Sequence, residues 1–270
     1  MTDTKLTPTP TPYKELLLVE DRGDYAIITI NRPEKRNALS VDAVFRFREA
    51  LAEVSTKKVV ILTGVNGSFC AGMDLSDSAR QGELAAARSS SDLPPWTAVQ
   101  KDIRNHRAVF IAAVNGYALG GGSTLVNTCD LAIAGESAKI ALPEMGFGGW
   151  PMQAGPAAVK RLAPKHAAEL ILTARRVDAH EALRMALVNK VVPDLELMDE
   201  AIALAEQLAG YDEYALDYGK KAIQRMQEMS WDEAMDYGEL TSRITRGLST
   251  SAREGMAAFI AGKRGPGQGA

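Results

Sequence analysis

Three short apolar runs, each closed by a glycine, constrain this chain more than any other feature. They are KKVVILTG at 57–64, VFIAAVNG at 109–116 and CDLAIAG at 129–135. Runs of this length with a glycine stop read as buried strands. Segments with helical spacing lie between and after them, so strand, turn and helix alternate and the loops after the strands carry glycine. That is an α/β pattern. Upstream, ELLLVED and YAIITINR flank Arg22-Gly23-Asp24 and read as a β-hairpin. Ser40 is a candidate N-cap, with Asp42 in the first helical turn and Val41, Val44, Phe45 and Leu51 as the inward stripe.

At 270 residues the chain is long enough for one large domain, or one domain with a helical extension. The boundaries read as a flexible Thr/Pro-rich lead at 1–14, a core at 15–195, a helical region at 196–263 and a flexible tail at 264–270. From about Pro151 the pattern is mainly helical. Leu197, Ala201, Leu204 and Leu208 line one helix face, and Leu216, Ile223 and Met226 line another. The polar stretch from Asp77 to Pro95 reads as a mobile loop or weak helix of the kind that covers a site.

Several function classes lose support. The net charge of −3, with acids and bases interspersed, gives no reason to expect nucleic acid or an anionic membrane as partner. Cys70 and Cys129 have no CxxC spacing, and His106, His166 and His180 form no cluster, so no metal site is expected. No run approaches the ~20 apolar residues of a membrane span. Neither terminus carries a targeting pattern, which makes the cytoplasm the expected compartment. There is no GxSxG nucleophile motif, and no GxGxxG or GxxxxGK[ST] phosphate loop.

Chemistry concentrates in three segments: Phe69–Leu75 (FCAGMDL), 113–122 (AVNGYALGGG) and 141–146 (ALPEMG). Glycines at 120–122, between a strand and a helix, permit close approach of a ligand to the backbone. They also leave free N–H groups at a helix start, where developing negative charge is stabilised. A second N–H from the AGM turn would complete a two-donor oxyanion hole. Such a triplet alone is also a common packing turn. Glu144, between Pro143 and glycines, is the candidate proton carrier, given a pocket that raises its pKa. Phe147, Trp150 and Met152 are candidates for building that pocket, or for ordinary core.

Together with NRPEKRNAL at 31–39, CDLAIAGESAK at 129–139 and LTARRVDAHEALRMALVNKVVP at 172–193, these segments resemble the crotonase superfamily, also called the enoyl-CoA hydratase/isomerase family. The likeness covers roughly residues 15 to 265. It implies a crotonase (ClpP/crotonase-like) fold of repeated ββα units, with a C-terminal helical region that builds homotrimers or hexamers. It implies an acyl-CoA thioester as substrate, with coenzyme A arriving as part of it and no separate cofactor or metal. The oxyanion-hole amides map to Met73 and Gly121. Lys35, Arg36, Ala71, Gly72, Asp74, Leu75 and Gly120 match substrate- and CoA-contacting regions. Asp74 and Asp130 also read as loop-ordering residues.

The family's hydratases typically use two glutamates. Here the second is Glu144, while the first position is Thr124, whose hydroxyl orients groups but is no carboxylate base. One glutamate suffices to move a proton between carbons, so the leading expectation is an enoyl-CoA hydratase/isomerase-type enzyme with Glu144 as single proton carrier. Hydroxycinnamoyl-CoA hydratase-lyases resemble the chain in pairing a hydroxyl residue with this glutamate, and Tyr237 lies where their substrate-facing tyrosine does. A CoA-binding protein without turnover is a third reading.

Overall fold

The computed structural model describes residues 11–77, 79, 80, 82 and 93–262. Residues 1–10, the 264–270 tail and most of the stretch between Asp77 and Pro95 lie outside them. The lead expected at 1–14 is already anchored at its end. Tyr13 and Lys14 both reach Glu49, at 2.9 and 3.1 Å.

A six-stranded sheet forms the centre: β1 (Leu17–Arg22), β2 (Tyr25–Ile30), β3 (Val59–Gly64), β4 (Val109–Val114), β6 (Leu131–Gly135) and β9 (Lys190–Val192), in that order. The β1–β2 pair is the expected antiparallel hairpin, with Gly23 left-handed in its turn. All later pairings are parallel. β3 and β4 are buried along their whole length, which is why their sequences are unbroken apolar runs. A smaller sheet joins β5 (Tyr117–Leu119), β7 (Lys139–Ala141) and β8 (Val177–Asp178). Residues Ser68 and Cys70 bridge onto its edge at Gly116 and Ala118. β4 and β6 are each followed by a short strand of the small sheet and then a helix or helical turn, the repeated ββα arrangement, and after β3 the bridging residues Ser68 and Cys70 stand in for the short strand.

Helices α1 (Val41–Glu53), α2 (Pro95–Asn105) and α3 (Gly121–Thr128) belong to the layer on one face of the large sheet, followed by α4 (Ala154–Arg161), α5 (Pro164–Thr173) and α6 (Ala179–Arg184). The other face is covered by α7 (Leu197–Ala209), which packs Leu197, Ala201 and Ala205 onto Ile61, Ile111 and Ile133. So the first stripe read in the helical region belongs to the core of this chain. Beyond it come α8 (Glu213–Met226), α9 (Trp231–Leu248) and α10 (Ser251–Ile260).

The α1 stripe reading needs correction. In α1, Phe45 is exposed and Phe47 is fully buried, because the sheet meets the helix at the 43/44/47/50/51 face. In α8, Ile223 is exposed while Lys220 is buried. The Lys220 ammonium is held by Asp130 at 2.9 Å and by the carbonyls of Ile103 and Ala108. Burial pulls its pKa down, and Asp130 counters the effect. The buried lysine therefore ties α8 to the end of α2 and the start of β4 and β6.

Ser40 caps α1 as expected, its hydroxyl accepting from the Ala43 N–H at 3.2 Å. Ser40→Ala is expected to cost about 1 kcal/mol of stability, read as a lower midpoint with unchanged slope in urea unfolding.

Candidate active site

The site is built where segment 70–73 lies across the start of α3. Gly120 ends β5 in a left-handed conformation (φ 50°), and its N–H donates to the Ala141 carbonyl at 2.9 Å. Close packing explains the glycines. A Cβ on Gly122 would stand 2.1 Å from the Cys70 carbonyl oxygen, and one on Gly72 would stand 2.8 Å from that of Leu119. A Cβ on Gly121 would lie 3.5 Å from the Met73 nitrogen, so the Met73 and Gly121 amides are neighbours. Among the described residues neither of these N–H groups has an acceptor. Gly121 opens α3, where N–H groups lack intrahelical partners and the dipole is positive.

Glu144 reaches this turn from a helical turn that Pro143 starts right after β7. A Cβ on Gly120 would lie 3.0 Å from Glu144 Oε1. The carboxylate is half-buried, and its Oε2 is buried without a hydrogen-bond partner. Burial raises its pKa above the ordinary carboxylate range, and its own backbone N–H opposes this only in part. The apolar pocket expected from Phe147, Trp150 and Met152 is not what buries it. These side chains are 77%, 58% and 69% exposed, because the turn after Pro143 directs them outward. Backbone packing against Gly120 takes their place.

Thr124 is fully buried, and its hydroxyl donates back to the Gly120 carbonyl at 3.1 Å. Its proton thus steadies the glycine turn. Asp74 is buried beside Met73, 2.6 Å from Arg32 Nη1, and accepts from both the N–H and the hydroxyl of Ser76. Burial pushes its pKa up, but the Ser76 and Arg32 hydrogen bonds outweigh that and hold it low. Asp74 therefore orders the loop that presents the Met73 amide. Ala71 donates its N–H to the Arg36 carbonyl, and Leu75 is exposed at the loop's outer side.

Lys35 and Arg36 are exposed, and Arg36 lies over the Tyr117 ring. Arg176 also stacks on that ring, 5.7 Å from its centroid. Sequence reading missed Arg176, although the Arg175-Arg176 doublet in the 172–193 segment was available as a signal. Tyr237 is not brought to Glu144 within one chain. Its ring lies beside Arg225 of α8. The Cys70 thiol is buried, pushed up to about 12 by burial, and accepts from the Gly72 N–H at 3.4 Å, so it shapes the loop and is no nucleophile. Among the described residues no cluster of metal-ligating side chains occurs, and no helix is long and apolar enough to cross a membrane.

The family description "Enoyl-CoA hydratase/isomerase" matches residues 21–266. The chain belongs to the enoyl-CoA hydratase/isomerase family. It is 33% identical to the short-chain-enoyl-CoA hydratase of Clostridium acetobutylicum over 254 residues, 90% of this chain and 94% of that protein. It is 32% identical to the crotonyl-CoA hydratase of Syntrophomonas wolfei over 255 residues, 91% and 95% of the two chains. A solved enoyl-CoA hydratase from Bacillus anthracis superposes with a TM-score of 0.83 at 29% identity, covering 92% of this chain and 97% of that one. As a member of the enoyl-CoA hydratase/isomerase family, the protein is an enzyme acting on acyl-CoA, and its α/β architecture is the crotonase fold.

Proposed function

We propose that this enoyl-CoA hydratase/isomerase works with one proton-carrying carboxylate, Glu144, set beside an oxyanion hole made of the Met73 and Gly121 amides. The observation that carries the reading is the Glu144 carboxylate, with Oε1 against Gly120 and Oε2 buried and unpartnered, one residue from an amide with no acceptor. The thioester carbonyl oxygen sits between the two N–H groups, and negative charge moves onto it when the enolate forms. In hydration Glu144 takes a proton from the water whose oxygen adds at the β-carbon and delivers it to the α-carbon of the enolate; in isomerisation it takes the α-proton of a 3-enoyl thioester and returns it at the γ-carbon of the dienolate. A pKa raised by burial makes the group a stronger base for the first transfer while keeping its acid form available for the second.

Thr124 supports this as a positioning residue, since its hydroxyl is committed to Gly120. Arg36 and Arg176 over Tyr117, with the exposed Lys35 next in sequence to Arg36, supply positive charge for the coenzyme's phosphates. No separate cofactor enters the scheme. The helical region after α7 is proposed to join copies of the chain into trimers or dimers of trimers. Trp231, Met235, Leu240, Met256, Phe259 and Ile260 are exposed on α9 and α10, and such surface is unfavourable in water.

The test is incubation with crotonyl-CoA, a 3-enoyl-CoA and feruloyl-CoA in heavy-oxygen water, followed by mass spectrometry. Labelled 3-hydroxyacyl-CoA or a moved double bond is expected. Aldehyde with acetyl-CoA would shift the assignment to a hydratase-lyase, and no change in any thioester would overturn the reading.

A further inference from the structure

α3 carries the Gly121 amide at its start and is buried along its whole length. The last carbonyls of a buried helix have neither intrahelical donors nor water, so other groups must supply donors. Within α3, the side chains of Thr124, Asn127 and Thr128 each donate to the carbonyl four residues earlier, at 3.1, 2.9 and 2.8 Å. At the far end the donor comes from another helix. Arg161, the last residue of α4, donates from Nε to the Asn127 carbonyl at 3.0 Å and from Nη2 to the Cys129 carbonyl at 3.4 Å. Its positive charge stands at the negative end of the α3 dipole. Holding it there is unfavourable in itself. Burial and the neighbouring Arg104 pull its pKa down, and Asp130 offsets them only in part. Among the described residues no carboxylate lies within ion-pair distance of Arg161. The guanidinium is committed to the end of α3.

Both ends of α3 are therefore fixed, by different segments. At the start, a Cβ on Gly122 would stand 2.1 Å from the Cys70 carbonyl oxygen, and one on Gly121 would lie 3.5 Å from Gly72 Cα and the Met73 nitrogen. The helix spans about 12 Å and is short enough to move as one body. A shift along its axis at the Arg161 end is delivered to the Gly121 amide. α4 in turn is the first α-helix after Glu144. The Glu144 turn is closed by the Gly149 N–H on the Glu144 carbonyl at 3.0 Å. Trp150 then packs on the first turn of α4, where a Cβ on Gly155 would lie 3.0 Å from its indole ring. Arg161 thus ties the helix behind the carboxylate to the helix behind the amide.

We infer that Arg161 is a positioning residue for the reaction: by fixing the end of α3 against α4, it holds the Gly121 amide in register with the Met73 amide and with Glu144. It touches no reacting atom. The inference rests on the oxyanion-hole reading above.

The test reads the hole directly. Butanoyl-CoA, saturated and unreactive, is isotope-labelled at its thioester carbonyl, and the carbonyl stretch of the bound ligand is measured by infrared difference spectroscopy. Hydrogen bonds to the oxygen lower this frequency, so the wild-type band is expected below its value in water. In Arg161→Met the band should move back towards the water value. Its kcat on the best thioester should fall about 10–10²-fold per folded molecule, the scale of a small misplacement in the site, with KM changed far less. Arg161→Lys keeps the charge and one donor but not the planar fork, and should lie between the two. A merely structural role gives another pattern: signal and rate fall together with folded protein while the band stays put. That pattern, or wild-type kcat and band in Arg161→Met, would overturn the inference. If the methionine variant does not fold, the lysine variant decides by the same band and kcat. A wild-type band no lower than in water would sink the oxyanion hole and the inference with it. A lowered band that Arg161 does not influence leaves the hole standing and removes the inference alone.

Discussion

Glu144→Gln is expected to lower kcat on the chain's best thioester by about 10²–10⁴-fold, the range for loss of a positioned acid–base group. The same change is expected to raise the melting temperature by about 1–3 °C. Both effects have one cause. The Glu144 carboxyl is half-buried, and one of its oxygens has no partner, so burial raises its pKa. A group whose folded pKa lies above its unfolded value costs stability when ionised. The wild type therefore loses stability as pH rises from the ordinary carboxylate range through the raised value, and the glutamine variant does not. The stability gap should open towards neutral pH and close in acid. Wild-type kcat/KM should fall on acidification with a midpoint above that of an ordinary carboxylate. Thermal melts and pH–rate profiles of both proteins check this. A variant that keeps more than about a tenth of the activity, or that melts lower at neutral pH, would count against Glu144 as the proton carrier.

The same carboxylate shows what was legible beforehand. The glycines at 72 and 120–122 could be read because close backbone approach leaves a local mark: a left-handed or closely packed position excludes side chains, so glycine must stand there. The long strands could be read because burial on both faces leaves unbroken apolar runs. What escaped is set by contacts between distant segments. Helical spacing alone admits Phe45 as readily as Phe47, and only the position of the sheet decides between them. A lysine on α8 reads as a solvated residue until Asp130 and two carbonyls are brought to it from elsewhere in the chain. The apolar residues after Glu144 suggested a pocket wall, yet they face outward and the Gly120 backbone does that work. Arg176 joins Arg36 on Tyr117 only because β8 pairs with β7 in the small sheet.

Replacing the middle and the last glycine of the triplet by alanine is expected to separate chemistry from folding. At Gly121 a methyl would stand 3.5 Å from the Met73 nitrogen and the Gly72 Cα, which is ordinary contact. The chain should fold, and alanine's better helix propensity leaves the melting temperature unchanged or slightly higher. The methyl, however, stands beside both candidate donors, in the space an enolate oxygen needs. Loss of one such donor costs about 10²–10³-fold in kcat, and Gly121→Ala should lie in that range. At Gly122 the methyl would be 2.1 Å from the Cys70 carbonyl oxygen and 3.0 Å from its carbonyl carbon. Backbone must move there, at a cost of about 1–3 kcal/mol or more. Since segment 70–73 carries the Met73 amide, the damage reaches the same hole by way of lost stability. Gly122→Ala should therefore melt several degrees lower and lose activity together with folded protein, whereas Gly121→Ala should be well folded and slow. Circular dichroism melts paired with steady-state kinetics distinguish the two. A Gly121→Ala protein that is both stable and fully active would place the enolate oxygen somewhere other than between Met73 and Gly121.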